Sequence, residues 1–127
     1  MSIFNIFTKD KPSNIQWTIR VAEDEILIDN PDTFPINLDN YLTDLEMNDI
    51  EFIVLAPSQT LNNLTFLQVA NNNDGYMHVE VGLDEKNSMG RPKILYKDNA
   101  TTGECYDMFW AFYKTGKIDV SGWKELE

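Results

Sequence analysis

The chain has a single histidine, His78, which lies two positions before Glu80 in the stretch GYMHVEVG. An imidazole beside a carboxylate is a common arrangement for general acid–base catalysis. Together with Asp74, the same pair could also supply nitrogen and oxygen ligands to a metal ion. One histidine and scattered carboxylates do not specify a ligand geometry. The pattern therefore leaves open a small enzyme, or a ligand- or metal-binding domain, on the His78/Glu80 face.

The single cysteine, Cys105, is a second candidate, as a nucleophile with His78 as its base. It falls on the apolar stripe of a predicted helix, where a cysteine usually behaves as a small apolar residue. The chain has no G-x-x-x-x-G-K-[ST] loop and no G-x-G-x-x-G, G-x-S-x-G or H-E-x-x-H sequence. Its 21 carboxylic side chains do not select any pair for glycoside cleavage. These observations favour a protein with no catalytic residue, cofactor or metal.

Charge is distributed unevenly along the chain, which has 10 Lys and Arg, 21 Asp and Glu, and a net charge of -11. From Val21 to Glu85 there is no Lys or Arg, and that stretch contains two thirds of the acids. Such a surface repels nucleic-acid phosphates and anionic lipids, and it attracts cationic partners. The composition therefore predicts a basic protein partner, and neither nucleic acid nor membrane as a target.

Two predicted strands and a predicted helix open the chain. NIQWTIRV alternates apolar and polar residues, as a half-buried strand does, and EILID after a short turn completes a hairpin. In NLDNYLTDLEM the apolar residues recur at helical spacing, with Asn37 expected at the N-cap, Ile36 packed on Tyr41, and Asp39 in the first turn. The buried stripe would be Leu38, Tyr41, Leu42 and Leu45. The exposed surface would carry Asp39, Asn40, Thr43, Asp44 and Glu46.

Four further strands are predicted in EFIVLA, TFLQVA, YMHVEVGL and KILYK, with NNNDG as a hairpin turn. Side chains alternate between the two faces of a strand. In YMHVEVGL the apolar set therefore faces the core and leaves Tyr76, His78 and Glu80 on the opposite face.

The last predicted helix is TTGECYDMFWAFYKTG. Thr101 and Glu104 have the spacing of a capping box, Lys114 lies in the final turn, and Gly116 suits the left-handed residue that ends a helix. Its apolar stripe is broad, comprising Cys105, Met108, Phe109 and Phe112 and widened by Tyr106, Trp110 and Tyr113. We expect the helix to pack across the sheet, with Trp110 reaching the surface. IDVSGWKELE predicts a short final strand anchored by Trp123.

This element order predicts a single α+β domain over residues 1–127, with a mostly antiparallel sheet of about five to six strands and two helices. The opening MSIFNIFTKDKP is expected to form a first strand or a packed end segment rather than a membrane anchor. With no long apolar run, no leader pattern and one cysteine, a cytoplasmic location is expected.

The order FLQVANNNDGYMHVEV, ILYKD, ECYDMFWAFYKTG and GWKEL, from Phe66 to Leu126, resembles small bacterial immunity proteins encoded beside polymorphic toxins. Some members of that group neutralise secreted deaminase toxins. The shared features are Gln68, Glu80, the aromatic helix and Trp123. The resemblance implies a non-catalytic α+β protein that binds and blocks a partner.

Charge and resemblance together lead to one main hypothesis, an immunity-type inhibitor that covers a basic surface of a partner such as a toxin domain. Two alternatives stay open: the enzyme or ligand-binding domain on the His78/Glu80 face, and a subunit of a structural assembly. Either a monomer or a homodimer is compatible with the sequence. The expected partner-binding residues are Asp39, Asp44, Glu46 and Asp49, with Tyr76, His78 and Glu80 as a second patch, and Trp110.

Overall fold

The structure, a computed structural model, describes residues 15–126 of the chain. The opening segment, for which a first strand or packed end was predicted, lies outside the described residues. Seven strands and two helices lie within them. In chain order they are β1 (Trp17–Val21), β2 (Asp24–Ile28), α1 (Phe34–Glu46), β3 (Phe52–Pro57), β4 (Leu64–Asn71), β5 (Met77–Lys86), β6 (Pro92–Ala100), α2 (Thr102–Thr115) and β7 (Lys124–Leu126).

All seven strands join one antiparallel sheet in the order β2-β1-β3-β4-β5-β6-β7. Each strand pairs with its neighbour in the chain except where α1 separates β2 from β3, and there β3 pairs with β1. The predicted α+β class, with the C-terminal helix on the sheet, is confirmed. The count reaches seven because the three-residue β7 pairs with β6.

The core lies between one face of the sheet and the two helices. Strand alternation directs Ile19, Leu55, Val69 and Val79 toward the helices, and all four are almost fully buried. The helices complete the core with Phe34, Leu38, Leu42 and Leu45 from α1, and Cys105, Phe109, Phe112 and Tyr113 from α2. We call the opposite side of the sheet the far face, and neither α1 nor α2 packs on it.

The start of α1 differs from the prediction. The helix begins at Phe34 with Thr33 as N-cap, whose side chain makes no capping bond, and Pro35 lies in the first turn. Proline suits that position because its fixed φ is helical and the first N–H groups need no helical partner. Asn37 is therefore not the N-cap, and the first turn contains no acidic residue. The predicted staple is also absent, since Ile36 is 66% exposed.

The ends of α2 are as predicted. The Thr101 hydroxyl accepts a hydrogen bond from the Glu104 N–H at 3.1 Å, and the Glu104 carboxylate accepts one from the Thr101 N–H at 2.8 Å. Gly116 ends the helix with φ 72°, a left-handed conformation that glycine adopts without steric cost. At each end, the residues that form the cap lie within four positions of one another in the chain. This short range explains why both ends could be predicted from the sequence.

The ring of Phe66 lies over Gly82, its cross-strand partner on the far face. A Cβ at position 82 would stand 2.3 Å from the Phe66 ring, so Gly82→Ala should displace that ring. We expect this substitution to lower the free energy of unfolding by about 1–3 kcal/mol in urea denaturation. The matched control is Gly103→Ala in the first turn of α2, where an added Cβ would meet no side chain or other element within 4 Å and alanine favours the helix. Equal effects of the two substitutions would contradict the packing described here.

Candidate functional site

The exposed face of α1 combines carboxylates with two large apolar side chains. Ile36 and Met47 are 66% and 67% exposed. Their spacing of eleven positions places them on the same line of the helix, about 16 Å apart. By the same helical periodicity, Asp39 and Glu46 lie on one side of this line and Asp44 lies on the other. We call this region the α1 surface, and its members are Ile36, Asp39, Asp44, Glu46, Met47 and Asp49.

Among residues 15–126, no cation forms an ion pair with the carboxylates of the α1 surface. Within residues 15–126, no Lys, Arg or His lies within ion-pair distance of Asp39, Asp44, Glu46 or Asp49. Three of the four are exposed, and Asp44 is half-buried. Most of the described cations lie on or beside β5, β6 and β7, namely Lys86, Arg91, Lys93, Lys97 and Lys124. The charge asymmetry of the sequence is therefore also a spatial asymmetry across the sheet.

Two side chains from distant parts of the chain hold the C-terminal end of α1, and both were missed by the sequence reasoning. Asn71, at the end of β4, donates to the carbonyls of Leu45 and Glu46 at 3.1 and 3.3 Å. Thr102, at the start of α2, donates to the Glu46 carboxylate at 2.7 Å. The Asn71 bonds satisfy helix-end carbonyls that have no partner inside the helix, whereas the Thr102 bond goes to a side-chain carboxylate. They fix the position of the α1 surface against the sheet and α2.

His78 and Glu80 point to the far face of the sheet, as predicted from strand alternation. The two imidazole nitrogens are both bonded to carboxylates: Nδ1 lies 2.5 Å from Asp98 Oδ1, and Nε2 lies 2.8 Å from Glu80 Oε2. The Tyr96 ring lies beside the imidazole, with centroids 5.6 Å apart. Asp98 was not predicted as part of this cluster, and no local pattern indicates it, because a bulge in the β5–β6 pairing sets its position.

The two carboxylates favour the protonated form of the imidazole. Burial by itself lowers the pKa of His78, but the hydrogen bonds to Asp98 and Glu80 outweigh it and raise the pKa above its ordinary value. The His78 hydrogen bond in turn lowers the pKa of Asp98. An imidazole that donates from both nitrogens has no free lone pair to accept a proton or to bind a metal. In this arrangement His78 bridges two carboxylates across neighbouring strands.

This bridge predicts a pH-dependent contribution to stability. Because the pKa of His78 is higher in the folded than in the unfolded chain, its contribution is complete below about pH 6.5 and is lost as the pH rises through the folded value. We expect His78→Gln to cost up to about 1 kcal/mol at pH 5.5 and markedly less at pH 8.5 in urea unfolding. In an Asp98→Asn background this pH dependence should shrink. A cost that is the same at both pH values would contradict the bridge.

The eight predicted partner-binding residues do not form one surface. Asp39, Asp44, Glu46 and Asp49 belong to α1 and the turn after it, whereas His78 and Glu80 lie on the far face of the sheet. Tyr76 precedes β5 in the turn and is 45% exposed. Trp110 is half-buried on the helix side. Its ring stacks on Phe34 at 6.0 Å and lies 5.3 Å from Lys114 Nζ. Trp110 is thus beside the N-terminal end of α1.

The structure does not assemble the two chemical pairings considered from the sequence. Cys105 is fully buried on the helix side of the sheet, and burial raises the pKa of its thiol to about 12. The sheet separates it from His78, so the histidine cannot act as its base. Asp74 accepts a hydrogen bond from the Tyr76 N–H at 3.0 Å within the turn. In the part of the chain that the structure describes, no three His, Cys, Asp or Glu side chains are arranged to hold a metal ion.

Neither described helix is long and apolar enough to cross a membrane. Comparisons with models of protein families, with curated proteins and with solved structures find no match to this chain.

Proposed function

We propose that this protein is a non-catalytic, immunity-type inhibitor that acts in the cytoplasm and binds a basic protein partner, such as a toxin domain, through the α1 surface. One observation carries the proposal: two exposed apolar side chains, Ile36 and Met47, lie among four carboxylates on and after α1 that have no ion-pair partner within residues 15–126. Like charges on one helix repel one another, and no ion pair within the described residues offsets that repulsion in the free protein. A cationic partner would relieve that repulsion.

The two kinds of side chain on the α1 surface would have different roles in binding. Carboxylates supply long-range attraction and selectivity for a basic partner, whereas apolar side chains such as Ile36 and Met47 supply burial. A stable interface needs about 800 Å² from each partner, which is more than one short helix exposes. Neighbouring side chains would have to complete it. Trp110 is suited to this because it lies beside α1 and is only half-buried.

The alternative function, an enzyme or ligand-binding domain on the His78/Glu80 face, has weaker support. The cleft nearest to that cluster is lined by Tyr96, Asp98 and Trp123 and has a volume of about 210 Å³. Pockets for small molecules usually span about 300–1,000 Å³. Both nitrogens of His78 are also already bonded to carboxylates. These features suit a cross-strand bridge better than a reactive group.

The proposal can be tested by co-expression with the product of the gene directly upstream. We expect that product to arrest growth alone, and the present chain to restore growth and co-purify with it. Neutralising the α1 surface by Asp39→Asn, Asp44→Asn, Glu46→Gln and Asp49→Asn should weaken both effects. The matched control removes the same charge on the β5–β7 side, by Asp84→Asn, Glu85→Gln, Asp119→Asn and Glu125→Gln. Equal protection by both variants, or no complex with the wild-type chain, would refute the proposal.

A further inference from the structure

We propose that β2 is a docking edge, to which an extended basic segment of the partner adds as a further antiparallel or parallel strand. This inference rests on the proposed function only for the class of partner. It identifies a second contact, made by backbone hydrogen bonds, beside the α1 surface. Three independent features of β2 carry it: its position in the sheet, its exposed apolar side chains and its charge.

The first feature is the position of β2 at the end of the sheet. Its five residues pair antiparallel with β1 along their whole length, from Asp24 opposite Val21 to Ile28 opposite Trp17. Within residues 15–126, β2 has no second neighbouring strand. The backbone N–H and C=O groups of alternate β2 residues therefore point away from β1 and from the rest of the described sheet. An extended peptide could pair with these groups by strand addition.

The second feature is the apolar surface that an added strand would meet. Ile26 and Leu27 are 40% and 50% exposed, one on each face of β2. Beside Ile26, a cleft of about 90 Å³ lies between β2 and the start of α1, lined in part by Ile28, Phe34 and Tyr41. A cavity of about 150 Å³ can hold benzene, so this cleft suits one aliphatic side chain. Alternate side chains of an added strand would thus find apolar contacts.

The third feature is charge, which determines the kind of occupant. Glu23, Asp24, Glu25 and Asp29 lie on or next to β2, and no ion pair involves them in the described part of the chain. Antiparallel pairing of two copies along β2 would bring the carboxylates of both copies into one short edge. Like charges in such proximity oppose pairing. A strand that carries Lys or Arg would instead gain from the same groups.

The other edge of the sheet lacks this combination. β7 has only three residues, and its charged side chains are the oppositely charged Lys124 and Glu125. Glu125 already lies 3.8 Å from Lys93 Nζ. A three-residue edge offers few hydrogen-bonding groups, and its mixed charge selects no partner. Among the described strands, β2 is thus the edge that fits a basic extended segment.

A capped seven-residue peptide of alternating lysine and valine tests this inference without a toxin. In NMR titration we expect saturable shifts at β2 and the start of α1, and slower hydrogen exchange of β2 amides in the complex. A control peptide has the same sequence but is N-methylated at alternate residues on the edge that would pair with β2. It keeps its charge but cannot donate backbone hydrogen bonds to β2. It should bind at least about tenfold more weakly, because it cannot form several of the backbone hydrogen bonds to β2.

Variants of the protein separate β2 docking from general charge attraction. Replacing Glu23, Glu25 and Asp29 by their amides should weaken peptide binding about threefold or more, as expected for exposed ion pairs. Neutralising the carboxylates of the α1 surface should weaken peptide binding less than the β2 substitutions do. Shifts centred on the α1 surface, equal binding of the N-methylated peptide, or no binding at millimolar peptide would overturn the inference. The inference would also be overturned if, without peptide, protection of the β2 amides from hydrogen exchange rises with protein concentration. That result would indicate pairing of two copies.

The two proposals can fail separately. If the upstream gene product binds and is neutralised but the peptide does not dock on β2, the proposed function stands and the docking edge is wrong. If the peptide docks on β2 while no basic protein is neutralised, the edge is a strand-binding site and the inhibitor function is wrong.

Discussion

Replacing the carboxylates of the α1 surface by amides, as Asp39→Asn, Asp44→Asn, Glu46→Gln and Asp49→Asn, is expected to slow association with a basic partner at least about tenfold at low ionic strength. The four groups have no ion-pair partner within the described residues and lie on one helix and its following turn, so a partner that approaches this helix meets the combined field of all four. Dissociation should change much less, because in the proposed complex it would depend on the burial of Ile36 and Met47 by the partner.

Stopped-flow measurements at two salt concentrations would check this prediction. At about 10 mM salt the Debye length is about 30 Å and the attraction acts over the whole approach, whereas at about 1 M it is about 3 Å. The difference between variant and wild type should therefore disappear at high salt. The control variant, in which Asp84, Glu85, Asp119 and Glu125 are replaced by amides, has the same net charge as the α1-surface variant. It retains the carboxylates of the α1 surface. If it slows association equally, net charge alone is responsible and the α1 surface has no special role.

Phe34→Ala is expected to lower the free energy of unfolding by about 3–5 kcal/mol, which is the usual cost of truncating a buried phenylalanine. Phe34 is 2% exposed, and its ring lies 4.5 Å from that of Tyr113 and 6.0 Å from that of Trp110. It thus joins the first turn of α1 to the middle of α2. Its loss would leave a cavity between the helices and loosen the α1 surface from the sheet.

Ile36→Ala is the matched control, because it removes a large apolar side chain from the same helical turn at a position that is 66% exposed. We expect it to change stability by less than about 0.5 kcal/mol. Urea unfolding of the two variants under the same conditions gives the comparison. Similar costs for both would mean that Phe34 is not in the core. If Ile36 is a partner contact, its truncation should instead increase the dissociation rate of the complex.

A cleft lined by Ile26 of β2 and by Phe34 and Tyr41 of α1 lies between the β2 edge and α1. A single partner could therefore use both, with its charged surface over α1 and one extended segment along β2. In that case the effects of substitutions in the two regions on affinity would add, because the two contacts share few residues.

Much of the fold follows from patterns of short range in the sequence. Alternation in NIQWTIRV and YMHVEVGL predicts strands and the faces on which Trp17 and His78 lie, because side chains of a strand alternate whatever its neighbours are. The ends of α2 were predictable because Thr101, Glu104 and Gly116 act through bonds to their own helix. The start of α1 was not, since Pro35 and the buried Phe34 extended the helix beyond the N-cap expected at Asn37.

The sequence by itself determined the α+β class, most of the two buried helix stripes and an acidic segment without a Lys or Arg. Only the tertiary structure decided which groups meet. Asp98 reaches His78 through a bulge in a strand pairing, and Asn71 reaches the end of α1 from β4. Strand order placed β2 at one edge of the described sheet and most described cations at the opposite side. Such relations depend on pairing register and packing between residues far apart in the chain, which no local pattern of residue types encodes.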